Sequence, residues 1–553
     1  MGERSAHRPS KSNGFAAVRI LVLVGVLQAS VRWTVGAPFT VNTNLQFRLL
    51  LNTVAASGAN SVRLAKDPRN NQLYYLKLNG DIYRLDVLPG AGTSTSSLVY
   101  SSADHGLSQN VQGMAIGTEG TIYLVGNDST NSGQSTIARI MKGVPQGGGG
   151  RAWSLLAQTE PYPLGNSGFD HLFNGIIVSP DGANVYVNSG ARTDHGEVQS
   201  NGGVFPNTRD VPLTAKIFVL PTSATGLLLP NDLAALRSAV RIFAEGTRNA
   251  FDFGFAPGGE LFAIDNGPDR DMSDELNWLR PGLHYGFPWR MGGGDNPQQF
   301  PNYNPTNDPL LDPRFFAVHQ GFYHNDPSFP PPATNFTEPV LNIGPQADEF
   351  RNPTNGAYED ASVLGQAITT FTAHRAPLGL VFDRDGAMAS PFHNHGFVLG
   401  FTPGDSNGTN VAGPFFDPSQ DLLDLDLVKL GGTNFQARVT RLMAGFNLPV
   451  DAEIISNRIY VLEYGGNQGV WEISFPPAAP RPVLNMPQWL GTNTFRLTVT
   501  GVVPGQTYQV QRSTNLFDWI TIENVTPPNA QFVVTDSGAT SSASFYRVSS
   551  AGP

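Results

Sequence analysis

Two stretches of this chain carry residue types that could do chemistry. The denser is AEGTRNAFDFGFAPGGELFAIDNGPDRDMSDELNWLRPGLHYGFPWR, residues 244–290. Arg248-Asn249 opens an alternating apolar strand there, and Asp265-Asn266-Gly267-Pro268-Asp269 closes it, with Asp271, Asp274 and Glu275 just beyond. Hard cations such as Ca²⁺ take oxygen ligands, some of them backbone carbonyls. A Gly-Pro turn among carboxylates can aim its carbonyls outward in that way. A solvated acidic turn is the plainer alternative. The second stretch is Gly168-Phe169-Asp170-His171, again before a strand. A histidine at a strand mouth is a candidate general base, because its unperturbed pKa lies near neutrality. A histidine hydrogen-bonded within its loop is the alternative. His393 and His395, in SPFHNHGF, read as ordinary loop histidines.

Such residues work only if a scaffold brings distant loops together, and the composition describes that scaffold. Among 553 residues only 14% are charged, whereas Gly (60) and Pro (43) are abundant. That profile belongs to short strands joined by many turns, not to long charged helices. The net charge of −10 and the lack of any Lys/Arg block argue against nucleic-acid binding. There is no cysteine, which excludes disulfides, thiolate metal sites and Cys nucleophiles.

One pattern recurs: an alternating strand, a turn with Gly, Asp or Asn, and a second strand ending in aromatic or β-branched residues. It appears as NSVRLAKDPRNNQLYYLKLNGDIYRL, NVQGMAIGTEGTIYLVGN, NGIIVSPDGANVYVNSG, NAFDFGFAPGGELFAIDNG, APLGLVFDRDGAMAS…GFVLGF and PVDAEIISNRIYVLEYGGNQGVWEI. Six copies predict an all-β chain built on a six-bladed β-propeller, each copy within one four-stranded blade. The largest insertion, roughly residues 280–370, is rich in Pro, Asn, Asp and Phe, and loops of that length usually carry function or cover a site.

The ends read differently. Residues 1–37 combine a basic start, a short apolar run and Val35-Gly36-Ala37, the pattern of a secretory signal peptide. The propeller is expected over 38–475, a Pro-rich linker over 476–483, and a small C-terminal β-sandwich over 484–553. YQVQRSTNLFDW and FYRV in that tail resemble fibronectin-type-III-like modules of exported bacterial enzymes. A periplasmic or secreted location follows from the leader.

Together, GTRNAFDFGFAPGGELFAIDNGPDRDMSDELNWLRPGLHYGFP, the HRAPLGLVF stretch and the position of His171 resemble the soluble quinoprotein glucose/sorbosone dehydrogenase family. The resemblance covers roughly residues 45–475. It implies a six-bladed propeller that oxidises sugars with pyrroloquinoline quinone (PQQ) and Ca²⁺ and passes the electrons to an external acceptor. By that resemblance His171 takes the hydroxyl proton and Arg248 stabilises charge on the quinone oxygen. Asn249 and a nearby Gln109 (or Gln112) contact the cofactor, and the Gly267 and Pro268 carbonyls hold the calcium. The chain departs from the family at Ala191, where an acidic residue would orient the catalytic imidazole. Asp194 and Glu197 are the nearest substitutes. Lys429, Arg438 and Arg441 are the remaining candidates for cations that pair with the carboxylates of PQQ. Two other functions stay open. One is a carbohydrate-binding propeller that has lost its cofactor; the other is a Ca²⁺-dependent lactonase-type hydrolase, whose Glu, Asn and Asp cluster has no recognisable spacing here.

Overall fold

A computed structural model describes residues 37–550, apart from 56–57, 91, 166–167, 200–207, 333, 403–414, 478–481, 492 and 540–542. The leader reading, Ala37 aside, lies outside the described residues. The chain is all-β and divides into two units, Met1–Met388 with Phe392–Pro476, and Ala389–Pro391 with Pro477–Pro553.

The first unit is a six-bladed propeller. Its inner strands are Ser61–Asp67, Gly113–Ile116, Phe173–Val178, Ala250–Phe255, Pro377–Phe382 and Pro449–Ile455. Each touches the next, and the last touches the first, so the ring closes. Every repeat read from the sequence forms the inner hairpin of one blade. The third shows why. Asp181 accepts from Ala183 N–H at the turn, Gly182 takes φ +72°, and Val185 and Val187 alternate inward on the returning strand. Apolar clusters fill the wedges between neighbouring blades; one joins Val125, Ile140, Phe173, Val187 and Phe218. Each such side chain contributes about 1.5–3 kcal/mol on burial. The blades are not uniformly four-stranded: blade four has three strands, blade three has five, and blades two and five have six each once their short added strands are counted. Blade six takes its outer strand, Gln46–Asn52, from the start of the chain and pairs it with Gly469–Ser474, which fastens the ring.

The C-terminal halves of the inner strands line one cavity of about 440 Å³. All six strands therefore run the same way, and their N-terminal ends gather at the opposite mouth. The loops before each inner strand and after each second strand meet there. The insertion after Glu275–Leu279 is mostly irregular, with the short helix Phe316–His319 and the strand Leu341–Pro345 laid parallel to Asn434–Ala444 of blade five.

The second unit is a small β-sandwich of two three-stranded antiparallel sheets. Val483–Gly491, Thr494–Thr500 and Gln531–Asp536 form one, and Ile520–Val525, Tyr508–Ser513 and Phe545–Ser550 the other. Leu497, Val499, Tyr508, Val510 and Val534 form its core.

Candidate active site

His171 stands in the loop entering the inner strand of blade three, and its ring is held by backbone. Nδ1 lies 3.0 Å from the carbonyl oxygen of Ala191, at the end of the adjoining strand. A carbonyl only accepts, so Nδ1 carries the proton and Nε2 keeps its lone pair. Ala191 thus orients the imidazole through its main chain. Gly190 makes this approach possible, because a Cβ there would sit 2.4 Å from the His171 Cβ. Burial, and then the Arg248 charge, push the His171 pKa down to about 3. The ring is a neutral free base throughout the physiological range.

Arg248 Nη1 lies 3.5 Å from His171 Nε2. The guanidinium is 4% exposed and heavily tied. Nε donates to the Asp194 carbonyl at 2.7 Å, one Nη to Asp194 Oδ1 at 2.9 Å, and Nη1 to the Asn266 carbonyl at 3.2 Å. Below it, the Asp265 carboxylate accepts the backbone N–H groups of both Arg248 and Asn249. Those two residues begin one strand of a hairpin, and Asp265 ends its partner, so the register alone brings them together. Burial pushes the Asp265 carboxyl up, and the same holds for Glu275, paired beside it on the next strand. Asn249 accepts from Asn174 Nδ2 at 2.8 Å, which fixes its amide.

Neither Asp194 nor Glu197 reaches His171. Asp194, fully buried, is the hub of the Arg248 side instead. Besides the guanidinium, it accepts from Asp269 N–H at 3.0 Å, His195 Nδ1 at 2.8 Å and the Tyr323 hydroxyl at 3.1 Å. Burial pushes its carboxyl up, but the His195 hydrogen bond and the Arg248 charge outweigh that and hold it down. His195 stacks on Tyr323, ring centroids 3.7 Å apart. Glu197 accepts the backbone N–H groups of Asp194 and His195. Sequence reasoning passed over His195 and Tyr323, which carry no local signal.

Gly267 and Pro268 follow directly. The Gly267 N–H donates to Asp274, and among the described residues neither carbonyl accepts a hydrogen bond. Asn266 Oδ1 next to them is buried without a partner. Free carbonyls and an orphaned amide oxygen fit a hard cation. Among the described residues no group of three or more His, Asp or Glu could hold a metal ion, so the fit rests on these neutral oxygens. His171, Arg248 and Asn249 are the residues that could meet the quinone end of PQQ, His171 with a free Nε2 and Arg248 with a guanidinium 3.5 Å from it. The carboxylate end fares worse. Lys429 pairs with Glu260 at 2.9 Å, Arg441 with Asp417 and Asp421, and Arg375 of the HRAPLGLVF stretch with the same two acids. Arg438 is an exposed residue on an outer strand. Gln109 is exposed, and its amide oxygen accepts from Ser129 N–H at 3.2 Å. Gln112 is 2% exposed, its carbonyl taken by Arg63. No contact joins either glutamine to His171, Arg248 or Asn249 among the described residues. His395 pairs with Asp424, in keeping with a structural role.

Residues 91–317 match the family model Glucose / Sorbosone dehydrogenase, and His171, Arg248, Asn249, Gly267 and Pro268 all fall inside the match. The resemblance carried by the motifs is thus borne out by the family match. No curated protein matches the chain. Among solved structures, the apo soluble aldose sugar dehydrogenase of Escherichia coli is 13% identical, with 78% of this chain and 99% of that one covered and a TM-score of 0.45. The PQQ-bound aldose sugar dehydrogenase of Streptomyces coelicolor is 14% identical, with 78% and 98% covered and a TM-score of 0.41. The holo PQQ domain of pyranose dehydrogenase from Coprinopsis cinerea is 12% identical, with 79% and 98% covered and a TM-score of 0.44.

Proposed function

We propose that the chain is an exported sugar dehydrogenase that uses PQQ and Ca²⁺. The observation that carries this reading is the His171 imidazole, fixed with Nε2 unprotonated and 3.5 Å from the Arg248 guanidinium. Oxidising a sugar C–OH to a carbonyl removes one proton from oxygen and one hydride from carbon. His171 Nε2 takes the proton. Bound PQQ supplies the acceptor for the hydride. Arg248 would stabilise negative charge on an acceptor oxygen, and its buried ties to Asp194 fix the guanidinium in advance, so little reorganisation would be needed. The Gly267 and Pro268 carbonyls with Asn266 would hold the calcium, and Asn249 would hydrogen-bond the cofactor.

The test is reconstitution. The purified chain is given PQQ and Ca²⁺, and dye reduction is followed with a panel of aldoses and oligosaccharides, beside His171→Ala. Turnover that needs both additives and disappears in the variant is expected. Absence of turnover together with absence of PQQ binding would refute the reading. It would then favour a carbohydrate-binding propeller, which the engagement of Arg375, Arg441 and Lys429 by acids already supports.

A further inference from the structure

The insertion puts aromatic rings at the mouth that the chemistry above does not use. Helix Phe316–His319 is pinned from beneath. Ala317 N–H donates to Asp269 Oδ2 at 2.8 Å, and Phe315 stacks on His374 with centroids 3.9 Å apart. With Phe315 and Ala317 buried, Phe316 between them faces outward and is 40% exposed. Its ring meets Phe169 edge-on at 5.9 Å and Phe322 at 6.0 Å. Phe169 stands two residues before His171, and the Arg248 guanidinium lies 5.9 Å from its ring centroid. The rings therefore form a continuous row beside the candidate catalytic pair, half-buried Phe169, exposed Phe316 and half-buried Phe322.

We propose that this row is a saccharide-binding wall, and that the substrate is an oligosaccharide whose reacting end reaches His171 while its next residue lies on Phe316. This rests on the sugar-dehydrogenase reading for its orientation, not for its existence. A pyranose has one face of C–H bonds that packs on an aromatic ring, while its hydroxyls stay in water. An exposed ring on a rigid support costs little ordering when it binds such a face. A polar rim would serve a monosaccharide as well. A row of rings continuous with the site is needed only by a ligand longer than one ring.

Binding of glucose and of maltotriose, cellotriose and xylotriose to the full chain is measured by titration calorimetry, without cofactor, for the wild type, Phe316→Ala and Phe316→Trp. One of the trisaccharides is expected to bind about tenfold more tightly than glucose. Phe316→Ala is expected to remove about three- to tenfold of its affinity, the range of one aromatic contact, and Phe316→Trp to retain it. Equal affinities for glucose and every trisaccharide, or equal binding by wild type and Phe316→Ala, would overturn the proposal, as would binding of a redox dye to the row in place of any saccharide. A wall that binds trisaccharide in a chain that never turns over would sink the dehydrogenase reading alone.

Discussion

Asp194 offers the sharpest test of how this site is held. Replacing it with asparagine keeps the shape and the backbone carbonyl that accepts from Arg248 Nε, but removes the charge facing Arg248 and His195. Four donors point at the side chain: an Arg248 Nη, the Asp269 N–H, His195 Nδ1 and the Tyr323 hydroxyl. An amide has one oxygen to offer them and turns its NH₂ toward the rest. Removing one partner of a buried ion pair costs about 3–5 kcal/mol, and the surviving carbonyl bond places asparagine at the lower end, about 3 kcal/mol. The midpoint of denaturant unfolding reads this. If Asp194 also positions Arg248, turnover in the reconstituted enzyme falls by about 10²–10³, the scale for losing one pre-organised donor. Exchange of the Arg248 guanidinium protons, followed by NMR, rises with it. Tyr323→Phe is the control. It loses one hydrogen bond to Asp194, about 1 kcal/mol, and leaves the Arg248 contacts intact. Should Asp194→Asn lose stability yet keep turnover within about threefold and Arg248 exchange unchanged, Asp194 would be structural only.

Gly190→Ala places a methyl 2.4 Å from the His171 Cβ and 3.2 Å from Asn249 Oδ1. It should abolish turnover in a protein that still gives the wild-type circular dichroism spectrum; an active variant would show that the ring does not depend on this approach. In the channel at the other end, burial raises the Asp252, Asp451 and Glu453 carboxyls against only Arg63 and Lys66 nearby, with Asp383, Arg384 and Asp385 lining the same cavity. A raised carboxyl stabilises the fold fully below its unfolded value of 3.8 and loses that contribution as pH climbs through about 6 at Asp252. Unfolding midpoints should thus fall from pH 5 toward pH 8 more gently in Asp451→Asn than in the wild type, and parallel profiles would refute this. Lys429→Ala breaks an exposed pair with Glu260 and should cost no more than about 1 kcal/mol. PQQ affinity should not change; a large loss would return Lys429 to the cofactor site.

What the sequence could reveal followed the range of each signal. The inner hairpins were legible because alternation, tight turn and return strand all lie within about 20 residues. The outer strands were not. Gln46–Asn52 pairs with a strand more than 400 residues later, and nothing local in QFRLLLN announces that partner. The same rule governs the site. Arg248-Asn249 and Gly267-Pro268 were readable as a set because they stand at the two open ends of one hairpin. Tyr323 could not be placed beside Asp194, since the hydrogen bond spans 129 positions through an irregular insertion. Ala191 misled for another reason. A sequence shows side chains, and alanine there reads as a missing carboxylate, whereas the acceptor is a carbonyl that every residue possesses.

That substitution reshapes the electrostatics of the whole mouth. With a neutral carbonyl behind His171, burial and the Arg248 charge 3.5 Å away disfavour the imidazolium, and the more distant Asp194 charge does not offset them. The anion that might have stood there lies three residues on, at Asp194, where it neutralises Arg248 instead. Arg351 and His374 share Asp271 in the same manner, and Arg375 and Arg441 share Asp417 and Asp421. An anionic cofactor arriving at this mouth therefore meets guanidinium groups already matched by carboxylates, and gains little from direct pairing. Among the described residues, the Gly267 and Pro268 carbonyls accept no hydrogen bond and Asn266 Oδ1 is buried without a partner, and such neutral oxygens attract a cation. On the proposed reading, then, calcium rather than arginine is what makes this mouth receptive to a polycarboxylate.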